Sequence, residues 1–296
     1  MALGNKIVLL ITTYKRREKL IRLVRQMSHY ISTYAGSNAY QIAITDSEQG
    51  NTNPFDIHID YMTNQGTGFD LNLLGALTKF SDEADYIFAM GDDDLLNPYL
   101  HPLPLIDQAI AAGAGVYLFN HLNYVNTDEG INEKVHVGDP LYNSSHLKLY
   151  RSDPFAFVTQ PLPRYCGIIY ESGFIKNSLE TLAQFDHTLH LYAVPCLIAA
   201  CQSRLAYYDT PLTMFDVTPK TDGAWEDNVR VRLGLLHFCR ALKGVIPQAQ
   251  LDQLLNGFYR DYFSKPSHLF THQKELYLFH TKESFLQYLE NMALPG

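Results

Sequence analysis

The residues that most invite chemistry are Gly91-Asp92-Asp93-Asp94. Three adjacent carboxylates repel one another once removed from bulk water. Such a run is either a well-solvated turn or a loop that holds a cation. It directly follows Tyr86 to Met90, a short apolar run of the kind found in a strand buried on both faces. In an open parallel sheet, ligands lie in the crevice beyond the carboxyl ends of the strands. A hard divalent cation, Mg2+ or Mn2+, takes oxygen ligands and bridges protein carboxylates to a diphosphate. Other expected strand ends carry polar residues too. Thr12-Thr13-Tyr14-Lys15-Arg16 follows one strand, and Asp46-Ser47-Glu48 a second. Asn64-Gln65-Gly66-Thr67-Gly68 precedes a helix, with Asn72 one turn inside it. Hydroxyls, backbone amides and a helix N-terminus can receive base, ribose and phosphates. Each group taken singly is an ordinary turn; their common placement at strand ends points to one crevice.

The elements that position these residues follow from periodicity. Ile7 to Ile11 reads as a buried strand, and Arg16 to Ile31 as a helix with Leu20, Leu23, Val24 and Met27 at helical spacing. Gln41 to Thr45 and His58 to Met62 are further strands, Phe69 to Phe80 a helix, Leu103 to Ala112 another, and Val116 to Phe119 a strand. This alternation predicts an α/β fold with a Rossmann-type, mostly parallel sheet covered by helices on both faces. Residues 120–153 read as loops with a hairpin. Then come a strand at Gly167 to Tyr170, helices at Gly173 to Leu182 and Tyr192 to Ala200, and strands at Leu205 to Tyr208 and Leu212 to Phe215. Beyond Glu226 the pattern is helical, with breaks near Pro247 and Pro266.

The 296 residues suffice for one large α/β domain with a helical extension, and 46% hydrophobic content suits a packed core. A net charge of −8 argues against a nucleic-acid partner. The four cysteines, Cys166, Cys196, Cys201 and Cys239, form no CxxC pair or zinc spacing. They read as buried free thiols of a reducing compartment. No apolar run is long enough for a signal segment or a membrane span, so the expected location is cytoplasmic.

The order of motifs resembles family 2 glycosyltransferases of the GT-A fold, bacterial ones especially. It runs from Thr13-Tyr14-Lys15-Arg16 through Asp46, the glycines Gly66 and Gly68, and Asn72 to Asp92-Asp93-Asp94. Gly before three Asp also resembles the abequosyltransferase-like branch. Two positions depart from the family pattern: Lys15 stands where Asn is usual, and Thr12 where Pro is. The resemblance covers residues 6–120 well and 160–215 loosely. It implies a GT-A-like catalytic domain over 1–220, with 1–120 taking the nucleotide sugar and 121–220 the acceptor, and a helical region over 221–296. It further implies Mn2+ or Mg2+ held by Asp92 and Asp94, with Asp93 supporting the loop. Thr12, Tyr14, Arg16, Asp46, Gly66, Asn72, Asp92 and Asp93 would meet the nucleoside diphosphate sugar. The acceptor would be a glycan or a lipid-linked glycan of a bacterial surface polysaccharide, reached at the inner face of the membrane, with inversion at the anomeric centre.

The general base is the open point. Asp186 and His190 are four residues apart, so a helix would place them on one face, and either could take the acceptor proton. Glu226-Asp227 is a second acidic pair, and Trp225 could stack on a sugar. The aromatic stretch from Phe258 to Lys265 could pack on the domain, pair two copies or touch a membrane. Two competing functions share the crevice. A sugar-phosphate nucleotidyltransferase would carry a glycine-rich phosphate loop, which Thr12 to Arg17 lacks. A non-catalytic nucleotide- or glycan-binding module would need no base.

Overall fold

The computed structural model describes residues 4–48, 52–55, 57–63, 68–126, 135–217, 229–264 and 278–292. Its strands are β1 (Lys6–Thr13), β2 (Ala39–Asp46), β3 (Asp60–Thr63), β4 (Tyr86–Gly91), β5 (Leu95–Leu96), β6 (Val116–Asn126), β7 (Val135–Pro140), β8 (Cys166–Glu171) and β9 (Leu205–Asp216). The helices are α1 (Arg17–Thr33), α2 (Phe69–Glu83), α3 (Pro102–Ile110), α4 (Ser144–Ser152), α5 (Pro154–Thr159), α6 (Ser172–Lys176), α7 (Leu179–Leu182), α8 (Val194–Cys201), α9 (Val229–Ala241), α10 (Gln248–Phe258) and α11 (Lys282–Asn291). All strands join one sheet in the order β3-β2-β1-β4-β8-β6-β9-β5, with β7 on β6.

β1 explains the layering. Its side chains alternate between faces, as a strand's must. Ile7, Leu9 and Ile11 pack with Leu23 and Val24 of α1 and Ile106 of α3. Val8 and Leu10 pack with Leu73 and Leu77 of α2 and join a core that extends to α8, α9 and α10. Each such apolar side chain contributes roughly 1.5–3 kcal/mol by leaving water. The C-terminal helices belong to this core: Phe238 contacts Phe185 and Phe258, and Phe263 stacks on Phe285 at 5.1 Å. In the aromatic stretch that begins at Phe258, Phe258 and Phe263 are buried in this core, whereas Arg260 and Asp261 are exposed.

The α/β architecture has the expected helices on both faces, and β3-β2-β1-β4 is parallel throughout. Past β4 the sheet is mixed. β8 runs antiparallel to β4 and β6, and β9 is parallel to β6. β6 and β9 are longer than their apolar runs, because polar residues at their ends keep pairing. Asn120 holds the join by donating to Tyr142 O and to Asp209 Oδ1 at a register shift.

The stretch from Asp186 to His190 is not helical, which corrects the expectation of a shared helix face. His187 and Leu189 adopt φ of 66° and 64°. Thr188 Oγ1 donates to Phe185 O and accepts from His190 N–H, local bonds that compete with a helix. The Asp70 carboxylate in the first turn of α2 accepts the N–H groups of Leu189, at 2.5 Å, and Leu191, at 3.2 Å.

Candidate active site

The antiparallel turn at β8 gathers the site. The carboxyl ends of β1, β2, β4, β6 and β9 and the start of β8 all lie at one edge of the sheet. Asp92, Asp93 and Asp94 emerge there from β4, next to Thr12 and Thr13 of β1. Asp92 is 2% exposed. Its Oδ2 accepts from Thr13 Oγ1 at 2.6 Å, and its Oδ1 from Arg16 Nη1 at 3.0 Å. The same Arg16 nitrogen lies 2.8 Å from Asp93 Oδ2. Arg16 reaches both because Lys15 turns the chain with φ 56° just before α1. Both Asp92 oxygens thus accept from protein donors, which anchors the loop. Burial pushes its carboxyl up to about 6, against the opposing pull of Arg16.

Asp94 differs. It is also 2% exposed, and no basic side chain bonds it among the described residues. Its Oδ1 accepts from the Asp216 N–H at 3.2 Å, and the Cys166 thiol touches it. Burial first, and the Asp93 charge second, hold its carboxyl well above the ordinary carboxylate range. Asp216 is paired with Lys19 of α1 at 2.8 Å. Tyr124, whose hydroxyl donates to Asp93 O, closes the loop from the β6 side. Among the described residues no three His, Cys, Asp or Glu side chains converge on one point. This donor set still fits Mg2+ or Mn2+, which is commonly held by one or two carboxylates with the remaining oxygens from phosphates and water. The observation that fits is Asp94 itself, a buried carboxylate beside two others with no cation of its own.

The neighbouring strand ends form a second cluster. Asp46 Oδ1 accepts from Glu48 N–H at 2.8 Å and Oδ2 from the Tyr61 hydroxyl at 2.5 Å. Asn72 ties α2 to β2: its Oδ1 accepts from Thr45 Oγ1, and its Nδ2 donates to Thr45 O and Ser47 Oγ. Asn72 is thus a buried strut that fixes the end of β2 beside Asp46. Tyr14 is 54% exposed at the rim. Gly66, Trp225, Glu226 and Asp227 lie outside the described residues.

The two base candidates part company. Both ring nitrogens of His190 are buried without a hydrogen-bond partner, and the ring packs against Phe238 at 5.6 Å. Burial lowers its pKa to about 4. Neither ring nitrogen is presented at the surface, against the expectation of His190 as the base. Asp186 remains partly exposed, with His187 Nε2 at 3.5 Å.

The sequence reading missed Asp216, Cys166, Tyr124 and Lys19. Asp216 at the end of an apolar run was the one visible signal, since it repeats the pattern of Asp46.

These features define the class of fold: an α/β glycosyltransferase fold of the GT-A type. No family profile matches the sequence, and no curated protein matches it either. Solved structures do. The chain is similar to Staphylococcus aureus TarS (residues 1–349, in complex with UDP) at a TM-score of 0.53 and 12% identity, over 87% of this chain and 72% of that one. It is also similar to the mannosyltransferase PcManGT from Pyrobaculum calidifontis, in complex with GDP-Man and Mn2+. There the TM-score is 0.52 and the identity 12%, over 99% of this chain and 78% of that one. At such identity the likeness is one of fold.

Proposed function

We propose that this protein is a metal-dependent glycosyltransferase that moves a sugar from a nucleoside diphosphate sugar to an acceptor hydroxyl. The observation that carries the reading is Asp94: a buried, uncompensated carboxylate at the carboxyl end of β4, in a crevice whose other edges present Thr12, Thr13, Asp46 and Arg16. The two fold relatives described with UDP or with GDP-Man and Mn2+ support it. Asp46, beside the half-buried Tyr61, is the proposed contact to base or ribose. Asp94, helped by Asp93, is the proposed hold on Mn2+ or Mg2+. When bound, such a cation offsets the charge growing on the leaving diphosphate. Asp92 and Thr13 keep the loop in place, and Arg16 limits the repulsion within it. Asp186 is the proposed base, at the start of a loop that Asp70 fastens to α2.

The reading extends by analogy to inversion in a single displacement and to a bacterial surface glycan or its lipid-linked precursor as acceptor. The Gly91-to-Asp94 order resembles that of the abequosyltransferase-like branch. Residues 1–220 form the proposed catalytic unit, the half up to 120 facing the nucleotide sugar. Among the described residues no helix is long and apolar enough to cross a membrane; contact with a membrane face, on the cytoplasmic side, belongs to the proposal alone.

The test is a calorimetric titration of UDP, GDP, CDP and dTDP with and without Mn2+, on wild type, Asp94→Asn and Asp186→Asn. One nucleotide is expected to bind with Mn2+ dependence, and Asp94→Asn to weaken that binding at least tenfold. Asp186→Asn should leave it intact while lowering transfer about 100-fold, the usual scale for a lost general base. A folded wild type that binds no nucleotide would exclude the reading.

A further inference from the structure

On the far side of the acidic loop from β1 and β2 lies a small, open cleft lined among others by His121, Tyr142, Arg164, Cys166 and Gly167. Cys166 is both a wall of this cleft and a neighbour of Asp94, so the cleft abuts the proposed metal position. Arg164 is exposed, with its guanidinium 4.9 Å from the centre of the Phe215 ring. It has no carboxylate partner among the described residues, in a chain with a net charge of −8. Among the described residues the cation is thus held by an aromatic face alone, which suits a ligand that brings the negative charge.

A second feature points the same way. His121, from β6, is 2% exposed, and its Nε2 is buried with no hydrogen-bond partner. The ring is held between Phe215, at 5.8 Å, and Tyr142, at 6.3 Å. Burial, with Arg164 adding to it, lowers its pKa to about 4, so the imidazole is neutral near pH 7. A buried polar atom without a partner is costly and is normally satisfied by something. With its proton on Nε2, the ring would donate to a ligand oxygen in the cleft that also pairs with Arg164.

We propose that this cleft is an acceptor subsite for an oxyanion, so that the glycan acceptor carries a carboxylate or phosphate group docked by Arg164 and His121. This rests on the glycosyltransferase reading. The diphosphate of the sugar nucleotide is not the intended occupant. The groups that feel Arg164 are His121, Tyr142, Tyr192 and Tyr262, on the β6 and β8 side, whereas the acidic loop is served by Arg16. Arginine's planar fork matches both carboxylate and phosphate, so the chemistry is shared between an acidic sugar and a phosphorylated one.

The experiment uses the full chain with Mg2+ and whichever nucleoside diphosphate it binds. Glucuronate, glucose 6-phosphate and glucose are titrated by saturation-transfer NMR into wild type, Arg164→Gln and His121→Phe. Arg164 is exposed, so its replacement leaves the core untouched. His121→Phe keeps a ring in the aromatic slot while removing the nitrogens. The charged sugars should bind at least tenfold more tightly than glucose. Arg164→Gln should lose about tenfold of that affinity, the lower end expected for a charge-assisted pair, and His121→Phe a smaller share. Preference for glucuronate marks the anion as a carboxylate, preference for glucose 6-phosphate as a phosphate. Equal binding of charged and neutral sugars would overturn the inference, as would loss of nucleotide affinity in Arg164→Gln. Nucleotide binding is read in the same samples. Its absence would remove the glycosyltransferase reading and this inference with it, whereas nucleotide binding with no charge preference would remove this inference alone.

Discussion

Within the acidic triplet, each carboxylate has a different neighbourhood. Asp92 is bonded by Thr13 and Arg16, Asp93 shares Arg16, and Asp94 accepts the Asp216 N–H with the Cys166 thiol beside it. Burial raises the pKa of Asp92 to about 6 and of Asp94 further. An acid whose folded pKa lies above its unfolded value, near 4 for Asp, contributes stability that is complete below about pH 4. That contribution is lost as pH rises through the folded value. Asp92 thus weakens the fold across roughly pH 4–6, and Asp94 continues the loss to higher pH. A divalent cation should offset this charge only where the carboxylates are ionised. Mn2+ or Mg2+ is therefore expected to raise the melting temperature several degrees at pH 7.5 and much less at pH 5, as read by scanning calorimetry. Equal shifts at both pH values would contradict the assignment. The triplet, Asp46 and Asn72 were legible because each lies at the end of its own strand or start of its own helix. The end of β9 at Asp216 gave the same signal, but its meeting with Asp94 was hidden by the 122 residues of chain between them, and Arg164 and His121 are likewise joined only by the sheet.

Gly167 shows how an element aims side chains. In the β4–β8 pairing Ala89 faces Ile168 and Met90 faces Cys166, so Gly167 is an extra, bulged residue. Its φ is 78°, and a Cβ there would lie 2.6 Å from Thr213 Cγ2 and 3.2 Å from Phe88 Cζ. The bulge brings Cys166 against Asp94 and places Arg164 and Tyr165 at the crevice; the Tyr165 ring lies 5.2 Å from Phe69 and 5.4 Å from Tyr192. Gly167→Ala should cost about 1–3 kcal/mol in chemical unfolding, from backbone strain and crowding. It should also weaken metal-dependent nucleotide binding. An alanine variant with wild-type stability and binding would refute the bulge's role. The strand itself was readable from its apolar run, and the bulge was not, because one glycine in a strand looks alike whether it is paired or extra. The loop from Asp186 to His190 failed as a helix for a related reason: Asp70, more than a hundred residues upstream, takes the N–H of Leu189 and, just beyond the loop, that of Leu191.

Across the whole molecule the two edges of the sheet are unlike. At the site edge the long connections and polar strand ends gather. The opposite edge consists of short turns stitched by backbone bonds: Ala39 N–H to Asn5 O, Asp85 N–H to Lys6 O, Gly115 N–H to Arg204 O, and Ser172 N–H to Asp85 O. The parallel half of this plan was legible from alternating strands and helices. The mixed half was hidden because β8, β6 and β9 meet out of chain order. That division of labour has a practical consequence for anyone wishing to label or tether the protein. Gly113 sits in the turn between α3 and β6 on the quiet edge, with φ 70° and open space where a Cβ would be. A fluorescent peptide or short epitope spliced in after Gly113 is expected to leave nucleotide affinity within about twofold of wild type, since exposed turn tips tolerate insertion. The same splice between Phe215 and Asp216 should abolish binding. The protein then has a natural handle, at the end of the sheet remote from its chemistry, by which it can be held on a surface with its crevice facing solution.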